Sequence, residues 1–311
     1  MDSPIIPEHR RIIGDHRRDP ARYGDAFRPL GEECHTVQFN QPLDDTEMAA
    51  MGRLFDGRPD VTLYVYGGVK DLEFLRFFPA LRSLQLAVWD IGDISGFRHL
   101  SPEFRKLIFP HTKARFSLRF LAQLNGLRDL FLQGHKKDFD VVTTLTNLES
   151  LGLHGVELAD LKPLQKLGGL KTLRLGFGKI HDLSLLPRFE MLENLRLMRI
   201  TELADVDVLA EVTSVKSIDL DWLTHVPRLP DLSRLARLEV LRLDTMKGLR
   251  DIAGAAAAPL LRKLTAGATP GLTSGSFQAF VGHPALRELY AYVGRTRDNE
   301  AIKAMFPGIA R

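Results

Sequence analysis

Apolar positions recur along this chain in one spacing: "LESLGL" at 148–153 is followed by "LKTLRL" at 170–175 and "LENLRL" at 192–197. Copies of L-x-x-L-x-L start at Leu81, Phe104, Leu127, Leu148, Leu170, Leu192, Val215, Leu238, Leu261 and Leu286. Weaker copies start at Arg58, through Val61 and Leu63, and at Cys34, through Val37 and Phe39. The mean step is about 23 residues, a period typical of stacked solenoid repeats. Within each copy the last two apolar residues are two apart, so both face one side of a short strand and the residue between them faces the other. One face of every strand is expected to be buried.

A second apolar set comes after each strand at a spacing of three, as in Leu161, Leu164, Leu167 and Leu170, or Leu183, Leu186, Phe189 and Leu192. That period predicts a 3₁₀ or short helical segment on the outer side of each repeat. Aspartates precede this set at Asp71, Asp138, Asp160, Asp182, Asp205 and Asp251, with Asp93 one residue out of step. A carboxylate there can accept the unpaired N–H groups at a helix start, so these aspartates are read as caps.

The pattern resembles the leucine-rich-repeat family, in particular the bacterial internalin-like class, in which L-x-x-L-x-L is followed by a loop and D-L/I-x-x-L-x-x-L. The resemblance covers about residues 32 to 295. It implies an α/β fold: a right-handed leucine-rich-repeat solenoid, or horseshoe, with a concave parallel β-sheet and a convex side of 3₁₀ and short helices, capped at both ends. It also implies a surface used to bind other proteins. The chain departs from the family at the position where an asparagine amide usually bonds the loop backbone. Trp89, Thr112, His135, Val156, Gly178, Ile200, Leu223, Met246, Thr269 and Gly294 stand there, so some turns are expected to leave backbone groups to water.

Along the chain, residues 1–31 lack the repeat and carry "EHRR" and "DHRR" seven residues apart, which would place Arg10 and Arg17 on one side of a helix. This segment reads either as a phosphate-binding basic arm or as a frayed or solvated tail, flexible or packing on the cap. Residues 32–57 read as an N-terminal capping unit with a strand at "HTVQFN" and a helix capped by Asp44 or Asp45. Residues 58–295 form the repeats, expected to act as one array, and 296–311 a closing helix carrying Ile302, Met305 and Phe306.

Composition adds exclusions. With 44% hydrophobic and 26% charged residues among 311, the chain has ample material for a core. The formal net charge of +3 is mild and does not by itself point to nucleic acid. No P-loop, H-E-x-x-H, G-x-S-x-G or C-x-x-C spacing occurs, the ten histidines lack ligand spacing, and no cofactor or metal is expected. The lone Cys34 falls on a core position and is read as a small buried hydrophobe. The N-terminus lacks a signal-peptide core and no window reaches the ~18 apolar residues of a membrane span, so a cytoplasmic monomer is expected, delivery into another cell as an effector staying open.

The functional letters are therefore those that vary inside the repeat. The residues between and just after the strand leucines should form the concave face: Tyr64, Phe131, His154, Arg174, Arg196, Met198, Asp219, Asp221, Arg242, Asp244, Tyr290 and Tyr292, with Phe177 and Trp222 one residue further on. Where the loop is irregular, Phe177 or Trp222 could instead turn into the core. Arg174, Arg196, Asp219 and Arg242 should form a row with Asp221 and Asp244 beside it. Aromatics, Met and Arg are enriched at protein interfaces, so a protein ligand centred on residues 170–245 is the leading reading, as an immunity-type inhibitor, a regulatory subunit or an effector. The alternatives are nucleic-acid binding through the basic arm and concave arginines, and an enzyme with an open concave site. The interspersed aspartates argue against the first, and the open site against the second.

Overall fold

The computed structural model describes residues 10–13, 27–40 and 43–310, and the chain divides into two compact units, 1–148 and 149–311. In the first, β1 (Arg10–Ile13), β2 (Thr36–Phe39), β3 (Thr62–Tyr66), β4 (Ser83–Ala87), β5 (Lys106–Phe109) and β6 (Asp129–Gln133) pair in chain order, all parallel. In the second, β7 (Ser150–His154), β8 (Thr172–Gly176), β9 (Asn194–Met198), β10 (Ser217–Asp221), β11 (Val240–Asp244), β12 (Lys263–Gly267) and β13 (Glu288–Tyr292) do the same. Sequential parallel strands need a crossover, and the repeats place the outer apolar set on it. Among the described residues eight of these crossovers contain a 3₁₀ segment, for example Glu73–Phe77, Lys162–Leu164 and Asp207–Glu211. Each unit is thus a leucine-rich-repeat solenoid, its core held between the strand leucines and the 3₁₀ side.

The periodic residues are those that are buried. Leu173, Leu195, Ile218, Leu241 and Leu264 form one fully or nearly fully buried row, and Leu175, Leu197, Leu220, Leu243 and Ala266 the next. Cys34 is wholly buried, as its core position requires. The repeat at 58 is corrected: Leu63 and Val65 pair with Leu84 and Leu86, so the copy starts two residues later, at Asp60. Tyr64 consequently takes the middle position, opposite Gln85.

The aspartate caps are present as Asx turns two residues long. Asp71, Asp93, Asp160, Asp182, Asp205 and Asp251 accept from the backbone N–H of Glu73, Ser95, Lys162, Ser184, Asp207 and Ala253 at 2.7–2.9 Å. Asp231 does the same for Ser233, a cap that the sequence pattern did not mark. Asp138 is the exception: its backbone is left-handed, its side chain makes no cap bond, and its carboxylate takes the Ser117 hydroxyl at 2.5 Å. Asp205→Ala removes one such bond and is expected to cost about 1 kcal/mol in urea unfolding; an unchanged midpoint would mean water replaces the carboxylate without loss.

At the ends, Asp44 caps the helix Asp45–Arg53 in a reciprocal box with Glu47. The helix Thr296–Met305 buries Ile302, with buried Phe306 just beyond it. Residues 10–13 contradict the helical placement of Arg10, because they form a strand paired with Thr36–Phe39. Arg17 lies outside the described residues.

Candidate functional site

In the second unit the strand register lays the middle positions in one row: Gly152, Arg174, Arg196, Asp219, Arg242, Thr265 and Tyr290. Beside it runs His154, Gly176, Met198, Asp221, Asp244, Gly267 and Tyr292. The charged row expected from the sequence is therefore formed. Tyr64 and Phe131 lie on the corresponding face of the first unit, Tyr64 stacked on Tyr66 with ring centroids 5.2 Å apart.

The residue just beyond each strand departs from the alternation within it. Simple alternation would turn Trp222 inward, since Leu220 is in and Asp221 is out. Instead Trp222 has φ 56°, and the left-handed residue breaks the alternation, so Asp221 and Trp222 both face outward and Leu223 enters the core. The same turn occurs at Phe177 (54°), Arg199 (54°), Thr245 (51°) and Ala268 (48°), with Gly155 at the same place after β7. Non-glycine residues are uncommon in this region, and bulky ones are genuine outliers. The turn is held by the backbone: the N–H groups of Gly155, Phe177, Arg199, Trp222 and Thr245 donate to the carbonyls of Gly176, Met198, Asp221, Asp244 and Gly267 at 2.8–3.0 Å. This ladder pairs the first N–H of each of these turns without an asparagine amide; it does not extend to the N–H groups of Val156, Gly178, Ile200, Leu223 and Met246 that follow. Buried apolar residues fill four of the asparagine positions, Val156, Ile200, Leu223 and Met246; Thr112 and His135 bond the carbonyls of Ala114 and Pro110, and Trp89 is exposed.

The turn also builds a surface group. Phe177 and Trp222 are 45% and 42% exposed, and the Arg199 guanidinium lies over both rings, 5.5 Å from the first centroid and 4.6 Å from the second. His154 also packs on Phe177, with centroids 5.3 Å apart. Arg199 was missed by sequence reasoning, although its offset of 22 from Phe177 and 23 from Trp222 carries the repeat period.

Next to this stack, Arg196 binds two carboxylates. Its Nη2 lies 3.2 Å from Asp221 Oδ2 and 3.5 Å from Met198 Sδ, while Nε stands 3.5 Å from Asp219 Oδ2 without hydrogen-bond alignment. Burial pushes the Asp219 carboxyl up from its ordinary range; Arg196 and Arg242 oppose this, and Asp221 and Asp244 add to it. Arg174 donates to Ser150 Oγ at 3.1 Å and has no ion pair among the described residues. Arg242 and Asp244 likewise have none, and both are exposed. Tyr290 and Tyr292 are about half exposed at the last strand.

His154 is held below the usual histidine range by burial first and by Arg196 and Arg174 next, and His135 of the first unit by burial. Both are therefore neutral in the fold at pH values where the unfolded chain already takes up a proton. Their contribution to stability is full above the unfolded histidine range, about 6.5, and is lost as pH falls towards the folded values. The unfolding free energy from urea titration should fall between pH 7 and 5, by at most about 1.4 kcal/mol per pH unit per histidine. A flat profile across that interval would contradict this.

Among the described residues, no group of three or more His, Cys, Asp or Glu is placed to hold a metal ion, and no helix is long and apolar enough to cross a membrane. No family model and no curated protein matches the chain. The fold is nonetheless that of leucine-rich-repeat proteins. Internalin InlF from Listeria monocytogenes superposes with a TM-score of 0.52 at 17% identity, covering 88% of this chain and 79% of that one. A leucine-rich-repeat protein from Leptospira interrogans does so at 0.54 and 14% identity, covering 90% and 91%.

Proposed function

We propose that this chain is a non-catalytic scaffold that binds another protein through the open sheet face of residues 149–311, centred on β8 to β11. The observation that carries the reading is the Phe177–Arg199–Trp222 stack: two large rings left half in water on a strained turn, beside a partly desolvated ion cluster. Aromatic and arginine anchors flanked by polar groups are what protein interfaces use as hot spots. Strained backbone persists where the surrounding structure enforces it, and it is concentrated at functional sites. Asp219, Asp221 and Asp244 share the face with the arginines and would repel a continuous phosphate backbone, which disfavours nucleic acid.

The test is capture from host lysate with a photo-crosslinking residue at Met198, run beside Arg196→Glu/Asp219→Lys. A protein crosslinked through position 198 in stoichiometric yield, and lost in the double variant, is the expected result. Nucleic acid retained at low salt in place of protein would overturn the reading.

A further inference from the structure

Resting on that reading, the charges left uncancelled on the same face narrow the partner's chemistry. Many charges of the second unit are neutralised internally. Just before the strands, Lys171 pairs with Glu149, Lys216 with Glu193, and Arg262 with Glu239 and Glu288. On the face itself, Arg196 is taken up by Asp219 and Asp221. Arg196 balances only one of its two carboxylates, so the face carries Arg174, Arg196, Arg199 and Arg242 against Asp219, Asp221 and Asp244. Among the described residues Arg174, Arg199 and Arg242 stand without an ion pair, as does Lys247 in the turn after β11.

The unpaired cations on the strands and at the position just beyond them are arginines, whose planar forks match carboxylates in two-pronged bonds. Arg199 already lies over two rings, so its stacking need is met and its N–H edges are the part left to recognise an acceptor. Adjacent strands are about 4.8 Å apart, so Arg174 on β8 and Arg242 on β11 stand about 14 Å apart across the face. An extended segment rises about 3.4 Å per residue, so acids about four residues apart would reach both. Between them the face offers Met198 and the carboxylates that Arg196 already occupies, which suit an apolar and uncharged middle. A nucleic-acid strand, charged at about every 3.4 Å, would instead bring phosphates onto Asp219 and Asp221.

We infer that the partner presents an acidic segment laid across β8 to β11, with carboxylates about four residues apart that meet Arg174 and Arg242 and an apolar residue between them that packs by Met198, Arg199 supplying a further fork at the rim.

The experiment is selection of random twelve-residue peptides displayed on phage against the full chain at physiological salt. Selected peptides are then measured by fluorescence anisotropy on the native chain, Arg174→Gln/Arg242→Gln and Arg174→Glu/Arg242→Glu. Among the described residues the Arg242 side chain has no hydrogen bond and Arg174 only the one to Ser150, so both variants should keep the native circular dichroism. The glutamine variant should stay near the native urea midpoint, and the glutamate variant should lose some stability because a glutamate at position 242 would stand opposite Asp219. Enriched peptides should carry acid pairs about four apart around an apolar or aromatic residue. Their binding should weaken about tenfold on the glutamine variant and about a hundredfold on the glutamate variant. Enrichment of basic or uncharged peptides, equal binding to the glutamate variant, or no enrichment would each overturn the inference. Basic peptides that still crosslink through position 198 would sink the acidic partner and leave the scaffold standing; loss of crosslinking by every partner would sink the scaffold.

Discussion

Replacing Trp222 by glycine is expected to lower stability by about 1–3 kcal/mol, leaving the chain folded, while weakening partner capture at least about thirtyfold. The two effects come apart because the ring and the backbone are doing opposite things. With φ at 56°, a tryptophan here carries roughly 1–2 kcal/mol of left-handed strain that glycine does not. Against that gain, glycine loses roughly 0.5–1 kcal/mol more chain entropy on folding. The stacking of Arg199 on the ring, roughly 0.5–1 kcal/mol at an exposed site, also disappears. Those three terms nearly cancel, and what remains is the apolar contact of the covered part of the ring, a loss of about 1–3 kcal/mol. Binding has no such compensation, since a buried aromatic anchor typically contributes about 2 kcal/mol or more. Urea unfolding and quantitative capture on the same preparations decide the matter: unchanged capture would mean that the ring is there for the turn and not for the partner.

Leu220→Ala should have the opposite signature, a loss of about 2–5 kcal/mol in stability with binding failing only as the fold does. Leu220 is wholly buried and stands in register between Leu197 and Leu243, both also wholly buried. A solenoid has no second layer of core to slide into the space, so the cavity stays open and weakens the contacts with both neighbouring repeats. Urea titration followed by far-ultraviolet circular dichroism measures it. A loss below about 1 kcal/mol would show that the flanking leucines close the gap, contrary to the packing described.

The repeats from Leu81 onward are legible in the sequence because the first leucine of each copy and the pair after it together fix the strand register. At residue 58 that anchor is absent. Val61, Leu63 and Val65 alternate, so a period of two admits two registers, and only pairing with Leu84 and Leu86 selects the later one. The Asx turns are legible because a carboxylate two residues before an unpaired N–H is a local device; Asp138 escapes the rule through a left-handed backbone that its residue type tolerates. Arg174, Arg196, Asp219 and Arg242 can be placed in a row from spacing alone. The outward turn of Phe177 and Trp222 cannot, because the ordinary signal for φ above zero is glycine, and here the conformation is imposed by the carbonyls of the next repeat. Arg199 stays hidden for the same reason.

That imposed turn makes the position one beyond the strand indifferent to its occupant. Phenylalanine, arginine, tryptophan, threonine and alanine sit there in five successive repeats with φ differing by no more than 8°. Each therefore behaves as an interchangeable socket on a fixed rail. A library randomised at 177, 199, 222, 245 and 268 would rewrite the contact surface of a receptor in a single column while leaving every strand, and every leucine beneath it, where it is.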